Sequence, residues 1–138
     1  MIHFLPNNPE TLALLIAGRQ LLRDPSRWCQ GSMKQGQRFC INGALFEVGT
    51  PNYKMPDDYV SDEPLYYRGD LTRGQIPEPF WFLREALKER SAFTNIGLFN
   101  DAPETTHEQV LELLKSAIEL VESEMKQSVQ DRLDDRAA

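Results

Sequence analysis

The chain has 138 residues, 41% of them hydrophobic and 26% charged, which is typical of one globular domain with its own hydrophobic core. Its net charge of −6 is concentrated at the carboxyl end, where residues 101–138 hold four basic and ten acidic residues. Because attraction to phosphate dominates nucleic-acid affinity, an acidic chain without a basic stripe argues against nucleic-acid binding. The acidic residues are typical of a solvated helix face and tail, although they could also form a surface that docks on a basic partner.

The sequence also bears on the cellular compartment. No apolar run reaches the roughly 18 residues that a transmembrane helix needs, so we expect no membrane association. The first residues lack the basic and apolar regions of a signal peptide, which predicts a cytoplasmic protein. Cys29 and Cys40 are then expected to be thiols, although their spacing also allows a disulfide.

A first helix is predicted near residues 9–23. Asn8 followed by Pro9 is typical of a helix start, with Asn8 as the N-cap. The apolar residues that follow at helical spacing are Leu12, Leu15, Ile16 and Leu22. The helix should stop near Arg23, because Pro25 keeps the residue before it out of the α conformation.

A second, short helix is predicted near residues 40–48. Its apolar face would consist of Ile41, Ala44, Leu45 and Val48, and Gly49 would end it. A short apolar run could instead be a strand, but the pair Asn42-Gly43 favours a helix. Prolines then forbid a long helix over residues 50–77, which predicts an irregular loop rich in proline and tyrosine.

A third helix is predicted near residues 79–90, with Pro79 in its first turn. Phe80, Trp81 and Phe82 are three consecutive aromatic residues, more than one narrow buried stripe requires. Core packing explains them, and a partner-contact patch is the alternative. Residues 93–99 are predicted to be a short apolar connector, for which an extended conformation is one alternative.

The longest predicted helix covers residues 106–126. Asn100 and Asp101 favour a turn before it, and Pro103 delays its start. Two capping boxes overlap there, Thr105 with Glu108 and Thr106 with Gln109. The apolar stripe that follows consists of Val110, Leu114, Ala117, Ile118, Val121 and Met125. We therefore predict a mainly α, single compact domain of about four helices, ordered over residues 9–126, with a frayed polar tail at 127–138.

Cys40 is the strongest candidate for chemistry. It would lie at the amino end of its helix, where the dipole stabilises a thiolate, and His107 with Asp101 or Asn100 could complete a catalytic arrangement. Against this, a cysteine between Phe39 and Ile41 is more often a small buried hydrophobic residue. Only two cysteines and two histidines are present and no paired spacing occurs, so we expect no metal and no cofactor.

Three segments resemble a family of small bacterial and phage proteins known only as a domain of unknown function. They are the W-C-x-G motif at residues 28–31, the C-x-x-G-A-L motif at 40–45 and the N-D-x-P-x-x-T-x-x-x-V motif at 100–110. The resemblance covers most of residues 10–48 and 95–121. It implies the helical architecture and brings no assigned activity, cofactor or catalytic residue.

These features together predict a non-catalytic protein-interaction module, whose partner is a second copy or another protein. Trp28, Phe80 and Trp81 are the candidate contact residues, whereas Asn100, Asp101, Pro103 and Thr106 are expected to be structural turn and cap residues. Because the resemblance includes phage proteins, interference with a host factor is one biological role to consider. The alternatives are a small cysteine hydrolase using Cys40 with His107, and a small-ligand binder lined by Trp28, Tyr66 or Trp81.

Overall fold

The computed structural model describes residues 6–49 and 72–137. Within them the chain forms five α-helices, a 3₁₀ turn and a two-stranded antiparallel hairpin, which confirms the mainly α class. The helices are α1 (Asn8–Leu22), α2 (Ile41–Gly49), α3 (Glu78–Arg90), α4 (Ile96–Asp101) and α5 (His107–Ala137). The 3₁₀ turn is Pro25–Arg27, and the strands are β1 (Lys34–Gln35) and β2 (Arg38–Phe39).

The core lies on one side of α5. This helix packs along α1 and α3, while α2 packs on α1 and α4 packs on α2. The predicted apolar stripe of α5 faces the core, where its buried residues are Val110, Leu113, Leu114, Ala117 and Val121. Leu15 and Leu22 of α1 and Leu83 of α3 are fully enclosed in the same cluster. The prediction of a long packing helix is therefore confirmed.

The start of α5 follows from its capping box. The Thr106 hydroxyl accepts a hydrogen bond from the Gln109 amide at 3.2 Å, and the Gln109 side chain accepts one from the Thr106 amide at 2.9 Å. Two orphan amides of the first turn are thereby satisfied. Of the two overlapping capping boxes, the structure thus uses the second, and Thr105 is buried instead.

The cap of α1 is shifted by one residue from the prediction. Asn7, not Asn8, is the N-cap: its side-chain oxygen accepts from the Glu10 amide at 3.1 Å. Asn8 lies in the first turn with Pro9, and its side-chain amide donates to Glu124 of α5 at 2.7 Å. Both asparagines suit a cap, so the sequence alone did not separate them.

The extended conformation predicted for the apolar connector at 93–99 is wrong, because residues 96–101 form α4. Asn95 caps this helix by accepting from the Leu98 amide at 2.9 Å, and Ile96 and Phe99 face the core at a spacing of three. Six residues are too few to produce a recognisable helical period, although the Asn95 cap was a signal that could have been read.

The last helix is longer than predicted: α5 continues past residue 126 to Ala137, through the segment that was expected to be a frayed tail. Two side-chain bonds across one helical turn support it: Gln127 donates to Asp131 at 2.8 Å, and Gln130 donates to Asp134 at 2.9 Å. The residues there are good helix formers without glycine or proline. Although α5 is long, none of the helices in the described residues has the length and apolar character that a membrane span requires.

The short helix α2 is confirmed, and a close approach explains its glycine. A Cβ added at Gly43 would meet the Met33 carbonyl oxygen at 1.9 Å, so the backbone before the hairpin leaves no room for a side chain. Most of the predicted loop, residues 50–71, lies outside the described residues. The last part of the predicted loop is described and forms a turn. In this turn the backbones of Arg73 and Ile76 form an isolated β-bridge, and Gly74 has a φ of 94°.

Candidate functional site

The side chain of Asn100, at the end of α4, is fully buried and fully used. Its oxygen accepts from the Trp28 indole N–H at 2.8 Å and from the Ile41 amide at 3.2 Å. Its amide nitrogen donates to the Cys29 carbonyl at 3.1 Å and to the Asp101 carboxylate at 3.0 Å. An amide side chain has two acceptor positions and two donors, so Asn100 is saturated.

The neighbours of Asn100 add three further bonds to the same region. The Gln30 side-chain amide donates to the carbonyls of Asn100 and Ala102, each at 2.9 Å. These are terminal carbonyls of α4 that its own helix leaves without partners. The Gly31 amide donates to the Asp101 carboxylate at 2.8 Å, and Gly31 has the positive φ of 84° that this turn requires.

The three motifs noted in the sequence therefore meet in space. Residues 28–31, 40–45 and 100–103 are far apart in the chain, yet Asn100 bonds directly to the first two segments. We call these three segments the motif junction. Their polar residues bond to one another and to backbone, which is how buried polar groups hold a fold together.

Cys40 lies at the amino end of α2, as predicted, but it is only 6% exposed. Its sulfur accepts from the Gly43 amide at 3.3 Å and lies 3.8 Å from the Met33 sulfur. Burial raises the pKa of the Cys40 thiol to about 12, because desolvation of the thiolate outweighs the bond from Gly43. At neutral pH this thiol is protonated, which is the wrong state for a nucleophile.

The predicted partners of Cys40 are engaged elsewhere. His107 Nε2 lies 2.6 Å from the Leu22 carbonyl oxygen, so this nitrogen carries the proton, and the ring lies against Trp28. Asp101 accepts from Gly31 and Asn100. Within the described residues neither side chain bonds to Cys40, so no Cys-His-Asp arrangement is assembled.

Cys29 is buried as well, and both cysteines are free thiols. Its sulfur donates to the Ser32 carbonyl at 3.5 Å, and burial raises its pKa. Among residues 6–49 and 72–137 no group of three or more His, Cys, Asp or Glu side chains is placed to hold a metal ion.

The predicted contact residues differ in their exposure. Phe80 has no exposed surface and packs against Phe46 with ring centroids 5.3 Å apart, so it belongs to the core. Trp28 and Trp81 are each partly exposed, and Trp28 also donates to the motif junction. Tyr66, the third residue of the predicted ligand site, lies outside the described residues.

The Arg73 side chain covers Trp81 and makes a set of contacts that we did not predict. The Arg73 guanidinium lies 4.6 Å from the Trp81 ring centroid and donates two bonds to Glu124, each of 2.6 Å. It also donates to Glu78 at 3.1 Å. Arg73 holds the pKa of the Glu124 carboxyl below its usual range. Glu124 is 51 residues from Arg73, and no local pattern reveals such a pair.

Beyond Glu124 the helix α5 carries no buried side chain. We call residues 126–137 the α5 extension; at a rise of 1.5 Å per residue it is about 18 Å long. Val129 is 48% exposed and Leu133 is 52% exposed, on the face that also holds the half-buried Met125. This exposed apolar face was missed in the sequence because the polar residues around it were read as a frayed tail.

Comparison with known families finds one match, which covers most of the chain. Comparison with curated proteins finds no match, and comparison with solved structures finds none. A model of a family of unknown function matches residues 6–120, a span that includes all three motifs and ends before the α5 extension. The chain belongs to this family of unknown function, DUF6197.

Proposed function

We propose that this chain is a non-catalytic protein-interaction module and that the α5 extension is its contact surface. The observation that carries the proposal is the exposure of Val129 and Leu133, at 48% and 52%, in a segment of α5 that holds no buried side chain. Exposed apolar residues in contiguous faces mark interaction sites, and packing of an apolar face is what stabilises most helices in proteins. A protein partner that covers the face would stabilise the helix.

The absence of an assembled nucleophile supports a binding role over hydrolysis. Cys40 is protonated and enclosed, and His107 is bonded to the Leu22 carbonyl. The small-ligand alternative has less support, because Trp28 already donates to Asn100 and Trp81 is covered by Arg73.

As the biological setting we propose interference with a host factor in bacteria or their phages. The support for this setting is the resemblance of the three motifs to bacterial and phage proteins. The contact would then be made by α5, where the chain presents apolar residues, and it would not require the motif junction to be exposed. In this setting the module acts by occupying a surface of its partner.

The test is retention of protein from a bacterial extract on the immobilised full chain. We expect Val129→Asp with Leu133→Asp to abolish retention, because two charges on the apolar face oppose its burial. The matched control is Ser123→Asp with Ser128→Asp, which adds the same charge at exposed positions of α5 outside this face. If the wild-type chain retains no protein and also does not self-associate, the proposal is wrong.

A further inference from the structure

We infer that the partner of the α5 extension is a second copy of this chain, paired antiparallel about Val129. This inference rests on the proposed function, since it names the occupant of the same surface. Along one face of α5 the residues read Glu122, Met125, Val129, Leu133 and Arg136; Met125 is half-buried against the core, and the other four are exposed. The pattern is an acid, three apolar residues and a base.

Helix geometry places these five residues on one face. Glu122 and Arg136 each lie seven residues from Val129, which is about two turns and leaves them roughly 20° from its direction. Met125 and Leu133 each lie four residues from Val129, roughly 40° to either side. Glu122 and Arg136 are exposed, so their charges are available at the two ends of the apolar face.

This face is complementary to itself in one orientation. A two-fold interface requires that one patch fit a second copy of the same patch. Antiparallel pairing about Val129 brings Glu122 of one copy to Arg136 of the other, twice, and sets Met125 against Leu133. Parallel pairing would set like charges against each other at both ends, which is unfavourable.

The net charge of the chain affects where two copies can approach each other. The whole chain carries −6, so two copies repel each other at long range. The α5 extension is neutral, because Lys126, Arg132 and Arg136 balance Asp131, Asp134 and Asp135. A strongly basic partner would find no excess of acid here. The neutral extension is therefore where two acidic copies can approach.

The size of the face limits the strength of the dimer. Two helices paired over about four turns bury less than the roughly 1,200–2,000 Å² of standard stable complexes. We therefore expect a reversible dimer that dissociates on dilution, and that weakens when salt screens the two charge pairs.

The test is a charge exchange measured by analytical ultracentrifugation of the full chain over a range of concentrations. Glu122→Arg alone and Arg136→Glu alone should each weaken dimerisation by about tenfold, because each turns two attractive contacts into repulsive ones. The double variant should restore the wild-type dissociation constant, since the exchanged charges still meet across the antiparallel pair. Circular dichroism of each variant reports whether α5 remains helical.

The outcomes separate this inference from the proposed function. A wild-type dimer, weaker single variants and a restored double variant support the inference. Failure of the double variant to restore the dimer overturns the antiparallel pairing. A wild-type chain that stays monomeric, with α5 helical, overturns the second copy as partner. The proposed function survives that last result if extract protein is still retained through Val129 and Leu133, and it fails if none is.

Discussion

The motif junction buries polar side chains and pairs them, whereas the α5 extension holds apolar side chains in water. At the junction the fully buried Asn100 makes four side-chain hydrogen bonds. On the extension Val129 and Leu133 are about half exposed. The residues that attract attention as motifs thus bond to one another inside the fold, and the exposed apolar face that we propose as a contact surface lies in a segment without a motif.

The largest effect is expected at Gly43, beside the junction. Gly43→Ala would place a Cβ 1.9 Å from the Met33 carbonyl oxygen, so the backbone of α2 or of the hairpin has to move. We expect a loss of about 3–5 kcal/mol in the free energy of unfolding, measured by urea denaturation. The control is Gly18→Ala, whose Cβ would meet only the end of the Leu45 side chain at 3.0 Å. Equal losses at the two glycines would contradict the close approach.

The next largest loss of stability is expected at Asn100, because all the hydrogen-bonding positions of its side chain are occupied. Asn100→Ala leaves the Trp28 indole, the Ile41 amide and the Cys29 carbonyl without their partner. We expect a loss of about 3 kcal/mol in the free energy of unfolding, because each abandoned buried group adds to the cost. Asn95→Ala, which removes only a helix cap, should lose about 1 kcal/mol. If Asn95→Ala proves as damaging as Asn100→Ala, the network is not what stabilises this region.

A smaller effect is expected at the base of the extension, where Arg73 holds Glu124. Because the pKa of Glu124 is lowered in the folded state, its contribution is present above the unfolded pKa of about 4.3 and is lost as the pH falls through the folded pKa. The pair is partly exposed, so after allowance for solvent screening we expect about 1 kcal/mol.

Thermal unfolding of the wild type and of Glu124→Gln as a function of pH measures this contribution. The difference in stability between the two should be present near neutral pH and should shrink in acid, as Glu124 becomes protonated. Glu119→Gln, an exposed position on the same helix, is the control. A difference that stays constant down to acid pH would show that the Glu124 charge contributes nothing.

The smallest effect on stability is expected on the extension itself. Val129→Asp with Leu133→Asp should change the free energy of unfolding of the monomer by no more than about 0.5 kcal/mol, because these side chains are about half exposed and lie outside the core cluster. Denaturation at low concentration, where the chain is monomeric, is the measurement. A loss of several kcal/mol would mean that the extension folds against the body of the protein and that the contrast drawn above is false.

Local signals predicted much of the helical framework. The start of α5 depends on Thr106 and Gln109, three residues apart, and its core face follows the 3.6-residue period, so both could be read from sequence. The site could not be read in this way. The predicted role of Asn100 as a turn residue missed its partners, which lie 59–72 residues away and become neighbours only after folding.

The α5 extension was missed because its local signal is weak, whereas the partners of Asn100 were missed because they are distant in the chain. Val129 and Leu133 are too sparse among polar residues to produce the wide apolar stripe that identifies a packed helix. Their i, i+4 spacing with Met125 is a real signal, but it describes an exposed face, which we propose as a contact surface, and not a core face. The polar residues around them therefore predicted a frayed end.

The long sequence separation of the Asn100 bonds has a consequence for the order of folding. Closing a loop of 59–72 residues loses chain entropy before any of these bonds can form. Helices α1 and α2 are separated by a shorter stretch, as are α3 and α5, and each pair can meet sooner. The Asn100 bonds then form late, so losing them should accelerate unfolding far more than it retards folding.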